Sequence, residues 1–265
     1  MPDIALARVH CIVIDGDDAR RFAQAEFSGD VAALSPGHWQ WNAWLDARGR
    51  VEALMQLCDP GDGRLLAVLR GGDAARVRAG LARYLLRTRA TLTVREFGGY
   101  IDGPAEMGTV QAIDAELVIG CGGRSLRLGE ARDSINAASS YRWRLADIRD
   151  GWPTLPAAGP TFLPPALGLE RLGAISFNKG CYPGQEIAAR LHYRGGHKLR
   201  LHHVCGAAPL APWRPAKSVD PTGPWILDSV SVVGVVDALM VAPRSVECKI
   251  IYMGIKYNVV SIFEP

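Results

Sequence analysis

Lys179, Cys181, Gln185 and Glu186 crowd into the octet KGCYPGQE, on a backbone loosened by Gly180 and Gly184 and stiffened by Pro183. The thiolate is the nucleophilic and metal-binding form of cysteine, and a nearby cation or helix N-terminus favours it. Lys179 stands two residues before Cys181, while Gln185 and Glu186 read as the first turn of a helix continuing through IAARLHY. The spacing therefore predicts a thiol of lowered pKa with little side-chain bulk to shield its sulfur. Taken singly, each residue has an ordinary role. A cysteine is usually a small buried hydrophobe, a loop lysine is solvated, and a glutamate at a helix start complements the dipole. Downstream, Arg190 and Arg194 share a helix face. With Lys179, Lys198 and Arg200 they make a basic stretch in which Glu186 is the only acid. Arginine forks suit carboxylates and phosphates, and a solvated helix flank is the plain alternative.

Other constellations carry less. His202, His203 and Cys205 match no zinc spacing, and adjacent strand histidines point to opposite faces, so no metal site is expected. The glycines of ELVIGCGGRSLRLGE follow a strand, but SLRLGE alternates as a strand does. A tight hairpin is expected there, not a dinucleotide loop, which needs a helix at that point. No G-x-S-x-G, H-E-x-x-H or Walker loop occurs, which leaves hydrolase and nucleotide-hydrolysis readings unsupported.

The elements that must hold the octet follow from periodicity. RVHCIVIDG reads as a strand, DDARRFAQAEFSGD as a helix with an aspartate cap, and WQWNAWLDARGRVEALMQLCD as a hairpin turning at DARGR. GRLLAVLRGG is a further strand. DAARVRAGLARYLLRTRA is an amphipathic helix with Val77, Leu81, Tyr84 and Leu85 on one face, and TLTVREF closes the unit. AASSYRWRLADIRDG is a helix, and the proline-rich stretch near 152–168 suits a crossing between subdomains. From Leu199 onward LRLHHVCG, WILDSVSVVGVVDALMV and VECKIIYMGIKYNVVSI are strand-like, as in a small all-β domain. Without regular βαβ alternation the class is α+β with antiparallel sheets.

The chain has 265 residues, 48% hydrophobic and 22% charged, enough to bury a core without disulfides or metal. Its net charge of +3 implies no nucleic-acid partner. A plain RNA-binding module would want more charge and more aromatics in the basic run than Tyr193 alone. The six cysteines are scattered, with no C-x-x-C, as in a reducing compartment. With neither a basic leader nor an apolar run of about 18 residues, the expected location is cytoplasmic, away from membranes.

The octet resembles the K-G-C-[FY]-x-G-Q-E signature of the YgfZ family, folate-binding proteins related to the T-protein (aminomethyltransferase) of glycine cleavage. LDARGRVEAL, YRWRLADIRDGWPTL and FLPPALGLERLGAISFNKGCYPGQEIAARLHYRG are similar to further family blocks, and the likeness fades beyond about Asp237. The resemblance implies a T-protein-like ring of subdomains with a C-terminal β-barrel. Residues 1–198 would form the composite folate-binding region and 199–265 the barrel. It implies tetrahydrofolate, or a one-carbon derivative, as the bound cofactor. It also implies a role in iron–sulfur cluster assembly or repair that reaches tRNA modification through iron–sulfur enzymes as clients. By motif match Lys179, Cys181, Gly184, Gln185 and Glu186 form the functional set. Lys179 and Cys181 are its chemical pair, and Gly180, Tyr182, Gly184, Gln185 and Glu186 lie against the folate. Arg190 and Arg194 would meet the folate's glutamate tail, and Trp143 or Tyr182 would stack on its pterin.

The alternative is a folate-dependent aminomethyl transferase. T-proteins carry adjacent aspartates where this chain has Glu52 and Ala53, which argues against transfer and for a protein without classical turnover.

Overall fold

The computed structural model of the protein describes residues 5–131, 137–206, 224–232, 235–244, 249–252 and 255–264. The larger of its two sheets contains β1 (Ala5–Asp15), β2 (His38–Leu45), β3 (Val51–Asp59), β4 (Leu65–Leu69), β5 (Thr91–Asp102), β6 (Val110–Ile113), β7 (Glu116–Gly120) and β8 (Ser125–Gly129). They lie in the order β2-β3-β4-β1-β5-β8-β7-β6, and every neighbouring pair is antiparallel. The sheet curls until its two edges meet. Trp39 N–H donates to Gly108 O at 2.7 Å and Val110 N–H to Gly37 O at 2.7 Å. These bonds satisfy edge groups that would otherwise invite pairing with another chain.

Period-two alternation makes this curled sheet two-faced. Trp39, Trp41, Ala43 and Leu45 of β2 join Leu54, Cys58, Val68 and Cys11 in a core inside the curl. Trp44, Ala53, Met55 and Leu57 face the other way, into a core covered by two short helices. Of these, α1 (Ala19–Glu26) buries Ala19, Phe22, Ala23 and Glu26, a stripe at helical spacing. The other, α2 (Ala74–Leu81), is capped by Asp73, whose carboxylate accepts from Ala75 N–H at 2.9 Å and Arg76 N–H at 3.1 Å.

Both helices are shorter than their patterns suggest. Asp18 does not cap α1, because its carboxylate instead accepts from Arg89 N–H at 2.8 Å. The amphipathic stripe does not continue through Tyr84 and Leu85 either. The chain tightens into a 3₁₀ turn at Ala82–Tyr84 and Arg87 takes a positive φ of 59°, which leaves Tyr84 exposed.

A third helix, α3 (Ala137–Asp150), lies inside the curl. Its Arg144 reaches Asp228 on the second sheet, with Nε to Oδ1 at 3.0 Å. The proline-rich stretch crosses between layers much as a paired strand would. Val51 N–H donates to Phe162 O at 2.8 Å and Leu155 N–H to Arg70 O at 2.8 Å, before a buried 3₁₀ turn at Pro164–Leu167. After α4 (Gln185–Arg194), the strands β9 (Leu199–Gly206), β10 (Trp225–Val232), β11 (Val235–Pro243), β12 (Lys249–Tyr252) and β13 (Ile255–Phe263) form the second sheet. Its order is β10-β11-β9-β13-β12, again antiparallel. The class is α+β, and 113–129 folds as strands, with β7 and β8 the expected hairpin.

Candidate functional site

The octet forms a loop that ends at the N-terminus of α4. Gly184 occupies the cap position with φ 75°, and a Cβ there would lie 2.5 Å from Asp46 O and 2.8 Å from Gly49 Cα. The turn joining β2 to β3 is therefore the seat of this helix. It is tied by Asp46 Oδ1, which accepts from Arg48 N–H at 2.9 Å and Arg50 N–H at 2.8 Å. Gly184→Ala combines a left-handed backbone with a clash against main-chain atoms. It should cost about 2–3 kcal/mol in urea unfolding, and a loss below ~0.5 kcal/mol would contradict this packing.

Lys179 reaches across 152 residues of sequence. Its ammonium donates to Phe27 O at 2.6 Å and Gly29 O at 2.9 Å, and it sits 5.3 Å from the Tyr182 ring centroid. The lysine thus fastens the octet to the loop after α1. Ser28 in that loop makes further ties, its Oγ donating to Ala174 O at 2.7 Å while its carbonyl accepts from Ser176 N–H at 2.8 Å. Burial pushes the Lys179 pKa down to about 8, against the pull of Asp30. Because the folded-state pKa lies below the unfolded value, the folded protein holds fewer protons between about pH 8 and 10.4. Wild-type stability should therefore rise relative to Lys179→Met across that window. The gain is on the order of 1–2 kcal/mol, discounted for partial solvent access. Parallel denaturation curves at both ends of the window check it.

Cys181 is exposed, and a Cβ on Gly180 would meet nothing within 4 Å. Tyr182 is buried, its hydroxyl has no partner among the described residues, and burial together with Glu170 pushes its pKa up to about 12. Gln185 is half-buried, and Glu186 is exposed in the first turn of α4. Arg190 and Arg194 are exposed on the same helix.

Beside the loop opens a cavity of about 450 Å³, lined by Asp30, Gln40, Ile175, Phe177, Asn178, His192 and Tyr193. Asp30 Oδ1 accepts from Gln24 Nε2 at 2.9 Å and from Ala32 N–H at 3.2 Å, while Oδ2 accepts nothing from the described residues. Phe177 stacks on His192 with ring centroids 4.5 Å apart, and the Tyr193 ring meets His192 edge-on at 4.7 Å. None of the lining residues except Tyr193 stands out in the sequence. The signal was at hand in ISFNKG and LHYRGG, but nothing local ties those stretches to Asp30.

Trp143 belongs to another cluster. It is buried beneath Arg124, whose guanidinium lies 4.8 Å from its ring and 4.8 Å from that of Trp152. Trp152 packs edge-on against Trp41 and Trp39, at 5.3 and 6.2 Å. Arg124 Nη2 and Arg70 Nη2 converge on Asp147 at 2.8 and 2.6 Å. No local signal in the sequence marks this aromatic and ionic knot inside the curl. Elsewhere Glu52 is ion-paired with Arg76 and Ala53 is buried in the outer core.

Of the remaining cysteines, Cys11, Cys58 and Cys121 are buried, Cys205 is half-buried and Cys248 lies outside the described residues. Both strand histidines are packed in place. His203 Nε2 meets Asp237 Oδ1 at 2.8 Å, and the buried His202 ring uses Nδ1 on Arg200 O at 2.9 Å. Among the described residues no group of three or more His, Cys, Asp or Glu side chains is placed to hold a metal ion, and no helix is long and apolar enough to cross a membrane.

No protein-family model matches the chain. It is 27% identical over 241 residues to the tRNA-modifying protein YgfZ of Vibrio vulnificus, covering 80% of this chain and 74% of that one. To the protein of the same name from Cronobacter sakazakii it is 29% identical over 247 residues, covering 78% and 71%. An uncharacterized protein of Haemophilus influenzae is 29% identical over 206 residues, covering 75% and 71%. Among solved structures, the glycine cleavage system aminomethyltransferase T of Bartonella henselae superposes with a TM-score of 0.71 at 14% identity, over 98% of this chain and 84% of that one. With the KGCYPGQE loop seated on a fold that matches a T-protein, the chain is similar to several YgfZ proteins along about three quarters of its sequence.

Proposed function

We propose that this protein binds tetrahydrofolate, or a one-carbon derivative of it, and supports iron–sulfur cluster assembly or repair through Cys181. Its effect on tRNA modification then runs through client iron–sulfur enzymes. The observation that carries the reading is the joining of the exposed Cys181 loop, by Lys179, to the rim of an aromatic-walled cavity. At about 450 Å³ the cavity lies within the range of roughly 300–1,000 Å³ common to small-molecule sites. Its chemistry fits a reduced folate. Asp30 Oδ2 is an unspent acceptor for pterin N–H groups, Gln40 and Asn178 offer amides, and Phe177, His192 and Tyr193 wall the space with rings. Gly180, Tyr182, Gly184, Gln185 and Glu186 form the loop beside it. Arg190 and Arg194, which make no ion pair among the described residues, suit the glutamate tail. Trp143, closed over by Arg124, is left out of this assignment.

The bound folate would supply the one-carbon or reducing chemistry of its pteridine ring. The chain's own part is to hold that ring out of bulk water, anchor the tail and present the Cys181 thiol on an open loop. Lys179 acts as a positioning residue for both rims. The ion pair of Glu52 with Arg76 and the burial of Ala53 favour this reading over aminomethyl transfer, which would need a carboxylate free to handle a folate nitrogen.

Complementation of a strain lacking the protein tests the proposal. Cys181→Ser is nearly isosteric and exposed, so the variant should fold, keep most folate affinity and fail to restore client iron–sulfur enzyme activities. Full restoration by Cys181→Ser would remove the thiol from the account.

A further inference from the structure

His192 is an exposed helix residue, 39% accessible at its side chain, yet its ring is held from three directions. Nδ1 lies 2.7 Å from Glu170 Oε2. Phe177 stacks on one face at an interplanar angle of 29°, and Tyr193 stands against the ring at 82°. An ordinary surface histidine loses rotamer freedom for no return in such an arrangement. Glu170 has its own low accessibility of 15%, and the Tyr182 phenol and the Arg200 guanidinium lie within its field.

An ionised carboxylate only accepts hydrogen bonds, so Glu170 assigns the proton of the neutral imidazole to Nδ1. Nε2 is then a lone-pair acceptor. It has no partner among the described residues, and His192 lines the cavity. Among the described residues the other charged group lining that space is Asp30, and Lys179, bonded to Phe27 O and Gly29 O, lies within its field.

We propose that His192, oriented by Glu170, is a specificity-determining contact for the cavity's ligand, accepting a ring or exocyclic N–H of a planar heterocycle at Nε2. Glu170 is the positioning residue of the pair. The inference rests on the reduced-folate reading above and adds the residue that recognises the heterocycle. A protonated imidazole donates from Nε2 and can no longer accept there, so binding weakens once the ring carries a second proton.

The test is calorimetric titration of tetrahydrofolate into the full-length protein between about pH 5.5 and 8.5. Wild type should lose about tenfold in affinity toward the acid end, as expected for one lost hydrogen bond and a donor facing a donor. His192→Phe keeps the stack but has no acceptor. It should bind about five- to tenfold more weakly at neutral pH and lose the acid dependence. The amide in Glu170→Gln can donate to Nδ1 as well as accept from it, so the ring is no longer held in one tautomer; tetrahydrofolate binding at neutral pH should weaken about threefold with the urea midpoint unchanged. A wild-type profile that is flat, or one that His192→Phe leaves unchanged, overturns the assignment of His192 while leaving folate binding intact. Absence of tetrahydrofolate binding to folded wild type at every pH overturns the folate reading itself, and this inference with it.

Discussion

Iodoacetamide at neutral pH should label Cys181 at least about 100-fold faster than Cys11, Cys58 or Cys121. Two effects combine. The three core thiols are buried inside the curl, so the reagent reaches them only through opening. Burial also raises their pKa values, and Cys121 is pushed up to about 11, which leaves roughly 10⁻⁴ of that side chain as thiolate at pH 7. Cys181 sits on the open octet loop, flanked by Gly180 with empty space around it. Half-buried Cys205 should fall between the two classes. Mass-spectrometric site assignment over a time course reads the order directly, and early modification of any core cysteine in folded protein would contradict the packing inside the curl.

Asp147→Ala should destabilise the protein by about 3–5 kcal/mol. Asp147 is buried and accepts from both Arg70 and Arg124, whose side chains are 9% and 14% accessible. Among the described residues, removing it leaves Arg70 a long 3.4 Å contact to Thr154 and the Trp41 ring at 5.9 Å, while Arg124 keeps its 2.8 Å bond to Asp150. The cost is that of stranded buried charge, which exceeds the net worth of the intact pair. Arg70→Ala combined with Asp147→Ala should therefore cost less than the sum of the two single changes. Urea midpoints measure both, and a loss under about 1 kcal/mol for Asp147→Ala would mean the network is solvated.

The parts of the site that are contiguous in sequence were legible in it. Loop, cap and helix lie within Lys179–Arg194, and the DARGR turn that seats them is a local signal. Helix ends were less legible because tertiary contacts decided them. Asp18 is bonded to Arg89 N–H, 71 residues away, and so is lost as a cap. The reach of Lys179 to Phe27 and Gly29, the pairing of Glu170 with His192, and the convergence of Arg70 and Arg124 on Asp147 span 22 to 152 residues. Nothing in a local period encodes such distances. Trp143 is likewise placed by a long-range contact, its ring covered by the Arg124 guanidinium at 4.8 Å.

The central claim is that the cavity beside the octet holds a reduced folate. Titration of tetrahydrofolate into wild type and Ala33→Trp tests it most directly. Ala33 is an exposed residue of a 3₁₀ turn on the cavity rim, where added bulk fills the space without disturbing a core. Wild type should bind in the micromolar range, about −8 kcal/mol, and Ala33→Trp at least about tenfold more weakly. Equal affinity in the two proteins, or no binding heat with folded wild type, would contradict the account.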